Sequence, residues 1–255
     1  RGAYLVQGLG HCGACHTPRG LLFQEKSLTE AKRSFLSGAS LDNWSAADLT
    51  GTQSFGLGRW SEAEVALFLK TGHNASGAAF GSMIDVINYS TQFLTDADNA
   101  AMAHYLKSLP PAHESTEWKP DPASTLALDA LKYDAPGSQP YVTYCAGCHG
   151  RDGRGSPPYI PALAGNPAVL DPDPVSLLNI TLNGSSPIVV GDRPDVYRMV
   201  PFRTALDDAQ VAEVVTFMRG AWGNKAGAVT AKQVAELRGK TAAARYYEVD
   251  LLRMR

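Results

Sequence analysis

The four cysteines of this 255-residue chain fall in two pentapeptides, Cys12-Gly13-Ala14-Cys15-His16 and Cys145-Ala146-Gly147-Cys148-His149, and none lies outside them. Two thiols three positions apart, followed directly by an imidazole, form the attachment pattern of c-type haem. The thiols add to the two vinyl groups as thioethers, and the histidine reaches the iron as proximal ligand. One short helical turn sets all three groups against one edge and one face of a porphyrin. Other uses of these residue types fit less well. A zinc site draws its Cys and His pairs from separate knuckles, but here the pentapeptides lie 133 residues apart and each is complete in itself. A thioredoxin-like pair needs a strand-to-helix turn of a βαβ unit, and neither motif has one. Two structural disulfides would close only tight loops. The motifs therefore predict two covalently bound haem c groups, on Cys12, Cys15, Cys145 and Cys148, with His16 and His149 on the irons. Attachment needs reduced thiols and exported haem, which points to a bacterial periplasm or the outer face of a membrane.

An iron with one protein ligand binds gases or peroxide, and a second strong ligand makes it an electron carrier. Methionine serves well, because its thioether favours Fe(II). Met199 stands in Tyr197-Arg198-Met199-Val200-Pro201-Phe202, 50 residues after His149, and Met83 stands in Ala79-Phe80-Gly81-Ser82-Met83-Ile84, 67 residues after His16. Both read as loop residues ahead of a last helix. Met102 and Met218 lie on apolar helical faces and read as core. His73 rivals Met83, and bis-histidine ligation would lower the potential. His11, His104 and His113 receive no role. Each proximal ring also needs an acceptor at Nδ1. Pro161, 12 residues after His149, can offer its carbonyl; Pro18 follows His16 so closely that the first unit must be arranged differently. Trp44, Arg59 and Trp60 are candidates to cover or bind the haem propionates, with ordinary loop packing as their alternative.

These residues must be positioned by helices. The fold class predicted is mainly α: two tandem class I cytochrome c domains with long loops, plus a C-terminal tail. Each unit opens with a short helix into its pentapeptide and closes on an apolar helical stripe. The stripes are Met102, Tyr105, Leu106 and Leu109, then Val211, Val214, Val215 and Met218. Thr95 with Asp98, Asp207 with Gln210, and Ser61 with Glu64 mark helix starts. The units are assigned to 1–111 and 136–222, with a linker at 112–135 packed along one of them and a tail at 223–255. The formal charges are −1 and −2 on the units, −3 on the linker and +4 on the tail. The tail contains a capped helix from Thr230 through Leu237. Beyond it, Tyr246, Tyr247, Val249, Leu251, Leu252 and Met254 lie among Arg245, Arg253 and Arg255. This reads as a strap over a partner or over the second unit, with docking to an anionic membrane surface as the alternative. A net charge of −2 excludes a broadly basic nucleic-acid binder, and no run of 18 apolar residues spans a bilayer.

The run Arg1-Gly2-Ala3-Tyr4-Leu5-Val6-Gln7-Gly8-Leu9-Gly10-His11-Cys12-Gly13-Ala14-Cys15-His16-Thr17-Pro18-Arg19-Gly20 resembles the middle haem domain of a known family. So do Gly56-Leu57-Gly58-Arg59-Trp60-Ser61, Ser90-Thr91-Gln92-Phe93-Leu94-Thr95-Asp96, Lys107-Ser108-Leu109-Pro110-Pro111, Leu163-Ala164-Gly165-Asn166-Pro167 and Ala221-Trp222-Gly223-Asn224-Lys225. The family is the multihaem cytochrome c subunit of membrane-bound dehydrogenases. Its catalytic partners are quinoprotein alcohol dehydrogenase, flavin-dependent gluconate, sorbitol and fructose dehydrogenases, and some molybdopterin aldehyde dehydrogenases. The resemblance reaches to about Lys240. It implies an electron-transfer subunit, not itself an enzyme, peripheral at the periplasmic face of the inner membrane. The partners implied are a catalytic subunit of PQQ, flavin or molybdopterin type and a small third subunit, with ubiquinone or a terminal oxidase as acceptor. Family members usually carry three haem domains. The start at Arg1 leaves two readings: a third haem domain upstream, or a shorter relative. Two other functions fit the motifs, a dihaem peroxidase and a free soluble dihaem carrier.

Overall fold

The computed structural model describes residues 1–194 and 197–243. A π-helical segment, Tyr4–Leu9, leads into the one-turn helix α1 (Gly13–His16). A hairpin of β1 (Ala39–Leu41) and β2 (Trp44–Ala46) follows. Then come α2 (Glu62–Thr71), α3 (Met83–Tyr89), a 3-10 turn at Thr91–Phe93, and α4 (Asp96–Ser108). After α5 (Ala123–Asp129) the opening order recurs: α6 (Ser138–Tyr144) runs into the one-turn α7 (Ala146–His149). Next are α8 (Pro167–Leu170), α9 (Val175–Asn183) and a hairpin of β3 (Val189–Val190) and β4 (Arg193–Pro194). Helices α10 (Asp208–Gly220) and α11 (Ala231–Lys240) close the described chain. Among the described residues no helix is long and apolar enough to cross a membrane.

Side chains fix these boundaries. Ser61 with Glu64, Asp207 with Gln210, and Thr230 with Gln233 each form a reciprocal capping box, and Thr95 accepts from the Asp98 N–H. Each box satisfies two amide groups that a helix start otherwise leaves unpaired. Gly72, left-handed at φ +80°, ends α2. The two hairpins were not legible as alternation, being two or three residues long. Their turns carry the signal instead: Asp42-Asn43 and Gly191-Asp192 all have positive φ, as a two-residue turn matched to strand twist requires.

The stripes of α4 and α10 each anchor a hydrophobic core, the first built on Leu5, Val6, Trp60, Val65, Met102 and Leu106. The second gathers Tyr141, Val211, Val214, Val215, Met218 and Trp222. In both, the opening helical segment crosses the closing helix at backbone contact. A Cβ on Gly2 would collide with the Ala101 carbonyl oxygen, and one on Gly137 with that of Glu213. Gly137 is also left-handed, at φ +82°, so both space and conformation require glycine there.

Both flanking segments pack on the second core. In the stretch 112–135, α5 places Leu128, 1% exposed, in that core. The Trp118 indole N–H donates to the Trp222 carbonyl at 3.2 Å. The region 223–255 is not a docking tail as a whole, because α11 buries Val234 and Leu237 in that same core. Arg238 bonds Asp208 at 2.6 Å and the Leu206 carbonyl at 3.0 Å. The aromatic and basic positions Arg245 to Arg255 lie outside the described residues.

The two cores meet through polar contacts. The Ser45 N–H donates to Ser176 Oγ at 2.8 Å, and that hydroxyl returns a bond to the Ser45 carbonyl at 3.0 Å. Asn179 Nδ2 donates to the Asn43 carbonyl at 2.8 Å, and Arg59 reaches the Gly165 carbonyl. Gly137→Ala should destabilise the haem-loaded protein by roughly 1–3 kcal/mol. Gly239→Ala, in the exposed part of α11 with nothing within 4 Å, should be neutral or slightly stabilising. Thermal midpoints of the two variants check the contrast.

Two candidate haem-attachment sites

Each pentapeptide forms one helical turn. Cys12 flanks α1 and Cys145 flanks α7 on the N-terminal side. The His16 N–H donates to the Cys12 carbonyl at 3.0 Å and the His149 N–H to that of Cys145 at 2.9 Å. Positions i, i+3 and i+4 of such a turn share one face, so each turn presents two thiols and an imidazole together. In each pair one thiol points inward: Cys12 is half-buried and Cys145 buried, while Cys15 and Cys148 are exposed. Burial pushes the Cys12 thiol up to about 11 and the Cys145 thiol up to about 12. Among the described residues no three His, Cys, Asp or Glu side chains gather as a metal cage.

Both imidazoles are oriented from behind. His16 Nδ1 donates to the Ala47 carbonyl at 2.7 Å, and His149 Nδ1 to the Pro161 carbonyl at 3.0 Å. A carbonyl only accepts, so Nδ1 carries the proton and Nε2 keeps its lone pair for a metal. Burial pushes both imidazole pKa values below the usual histidine range, which favours this neutral form. The carbonyls are held in turn. Buried Asp48, beside Ala47, accepts from the Thr50 N–H at 2.7 Å and the Thr52 hydroxyl at 2.6 Å. In the second site the Leu163 N–H donates to the Gly153 carbonyl at 2.7 Å, closing the loop over Pro161. Pro18 supplies no bond to His16; its carbonyl accepts from the Lys26 N–H at 2.9 Å. Ala47 had no signal in the sequence, since every residue carries a carbonyl.

Met83 is not a loop residue: it is the first residue of α3. It packs between the first core and a small cluster of Ala79, Ile84, Ile87 and Ile188. Trp44 supports this approach, lying 5.8 Å from Phe80. It also lies against Gly81, where a Cβ would come within 2.8 Å of the indole. Met199 lies in an irregular segment whose N–H donates to Ser185 Oγ at 3.1 Å. Met102 and Met218 are core. His73 has its ring edge-on to Tyr159 of the second unit at 6.1 Å, and its Nδ1 is buried without an acceptor among the described residues.

Trp60 is 8% exposed, and its indole N–H has no acceptor. Arg19, unremarked in the sequence, has a buried Nε in the same state. Unmet buried donors are costly, and the carboxylates of a haem fit that need. Arg59 is already engaged: it donates to the Gln53, Ser54 and Gly165 carbonyls and stacks on Trp118 at 5.6 Å. These contacts make it a clamp between the units, the packing alternative offered for it above. The residues present thus suit covalent haem: paired thiols, a bare imidazole nitrogen and unmet donors nearby.

Residues 135–222, which contain the second turn, match the family model for cytochrome c. The chain therefore contains a cytochrome c domain over those residues. Over 93% of its length it is homologous to cytochrome c subunits of dehydrogenases. It is 46% identical to the cytochrome c subunit of a quinone alcohol dehydrogenase from Gluconacetobacter polyoxogenes, covering 52% of that relative. It is also 46% identical to the gluconate 2-dehydrogenase cytochrome c subunit of Pantoea cypripedii, covering 55%. The fructose dehydrogenase cytochrome subunit of Gluconobacter japonicus is 32% identical, with 51% covered. The chain spans about half the length of these relatives.

The haem count is directly measurable. The intact mass should exceed that of the polypeptide by two haem groups. Replacing Cys12 and Cys15 together with Ser, or Cys145 and Cys148 together, should each halve the haem content by pyridine haemochrome absorbance.

Proposed function

We propose that this chain is the electron-transfer cytochrome c subunit of a membrane-bound dehydrogenase complex at the periplasmic face of a bacterial inner membrane. The observation that carries this reading is the repeated turn: two thiols and an imidazole whose Nδ1 is pinned by a backbone carbonyl, at His16 and again at His149. When bound, haem c supplies one-electron Fe(III)/Fe(II) chemistry.

The chain's residues supply the rest. Cys12 and Cys15, and Cys145 and Cys148, would hold the two groups covalently, and His16 and His149 would offer Nε2 to the irons. Met83 and Met199 would supply thioether sulfur as the second protein ligands, which raises the potential. Trp60 and Arg19 would donate to the haem carboxylates. The two cores exclude water, which keeps the charge change at the metal costly to solvate and the potential set by the protein. Residues 1–111 and 136–222 are read as two class I cytochrome c domains in tandem.

The names of the relatives support a catalytic dehydrogenase subunit as donor. We take that subunit to be of PQQ, flavin or molybdopterin type, accompanied by a small third subunit. Ubiquinone or a terminal oxidase is the acceptor. Membrane association is peripheral.

The test is substitution of the methionines in the haem-loaded protein. Met83→Ala and Met199→Ala should each lower the potential of one haem, abolish its methionine-to-iron charge-transfer absorption and open that ferrous haem to carbon monoxide. The unsubstituted protein should bind no carbon monoxide. If it does, one sixth position is open and a peroxidase becomes the better reading. Purification from native membranes should recover the chain with a larger subunit bearing an organic cofactor; recovery alone in the soluble fraction would count for a free carrier.

A further inference from the structure

The described residues 186–194 and 197–198 leave the second unit as an arm. Its neck is closed by a reciprocal pair: the Ser185 N–H donates to the Met199 carbonyl at 3.0 Å, and the Met199 N–H to Ser185 Oγ at 3.1 Å. Its tip, the β3–β4 hairpin, pairs only two residues with two. A hairpin that short has no stability of its own.

The tip is held by the first unit. Asn88 Oδ1 accepts from the Val189 N–H at 2.7 Å, and Asn88 Nδ2 donates to the Pro187 carbonyl at 3.2 Å. Gln92 Nε2 donates to the Val189 carbonyl at 2.8 Å, and Gln92 Oε1 accepts from the Gly191 N–H at 3.1 Å. The residues bonded, 187, 189 and 191, alternate as along a strand. Two side-chain amides thus stand in for a missing strand edge. Residues between them turn the other way: Ile188 is buried with Ala79, Ile84 and Ile87, and Val190 packs on the same cluster. Met83 packs there as well. Asn88 is 6% exposed, yet among the described residues its side chain makes no bond within its own unit. A buried amide is costly unless fully paired, and here its pairing lies wholly in the arm.

We propose that Asn88 and Gln92 are positioning residues for Met199: the first unit fixes the arm that carries the sixth ligand of the second haem. This rests on the reading of Met199 as that ligand.

The experiment uses the full haem-loaded chain and reads, for each haem, the methionine-to-iron charge-transfer band, the potential and carbon monoxide binding to the ferrous state. Met83→Ala and Met199→Ala assign the signals. The variant Asn88→Ala/Gln92→Ala should lose the second haem's band, lower its potential and open it to carbon monoxide, with the first haem unchanged. Asn88→Asp and Gln92→Glu each keep the acceptor and lose the donor, and should give intermediate shifts. If the double variant does not fold, these two and Gln92→Ala decide by the same readouts. If Met199→Ala leaves the second haem as in the parent, the ligand reading falls. If Met199→Ala acts but the clamp variants leave the second haem's signals unchanged, or shift both haems alike, the positioning role alone is overturned.

Discussion

An imidazole has two nitrogens, and it serves a metal well from one only when the other is held by an acceptor. That requirement organises both sites. At His149 the acceptor comes from a glycine-rich loop 12 residues on, where Pro161 leaves its carbonyl free. At His16 it comes from the far end of a hairpin, at Ala47, 31 residues on. The first solution needs only a loop. The second needs a hairpin with a left-handed Asp42-Asn43 turn, a buried Asp48 to brace the next bend, and the bond from the Gly38 N–H to the His16 carbonyl at 2.9 Å. Two similar turns thus reach one geometry by different local routes.

The glycine crossings do related work at a larger scale. Each pentapeptide is entered by a helical segment whose own placement is set by contact with a closing helix about a hundred or seventy-five residues later, at Ala101 and Glu213. The non-local contact fixes where the thiols point. Hydrophobic burial supplies the driving force, and the capping boxes decide where the closing helices begin.

Much of this was legible. The pentapeptides, the stripes on α4 and α10 and the capped starts follow from spacing and residue type alone. Met102 and Met218 are core, as their helical positions indicate. What escaped falls into two kinds. Backbone partners such as the Ala47 carbonyl carry no side-chain signature. Segments that bury few residues do not show which core they join, and only the structure brings α5 and α11 to the second core through Leu128, Val234 and Leu237. Met83 was read as loop because α3 is short and begins at that residue. A guanidinium beside a tryptophan suits carboxylates, and the sequence does not show that Arg59 also meets two carbonyls of its own loop and, across the chain, that of Gly165.

Beside the apolar contact of Ile188 with Ile84 and Ile87, the seam between the two cores carries directional bonds: Ser45 with Ser176, Asn43 with Asn179, Arg59 with Gly165. Greasy surfaces tolerate sliding, whereas bonds of this kind lose their strength within small changes of angle. On the proposed function, redox centres on either side of such a seam would be held at one separation. Tunnelling between them would then proceed at a rate written into the fold, with no diffusive search between the two halves to wait for.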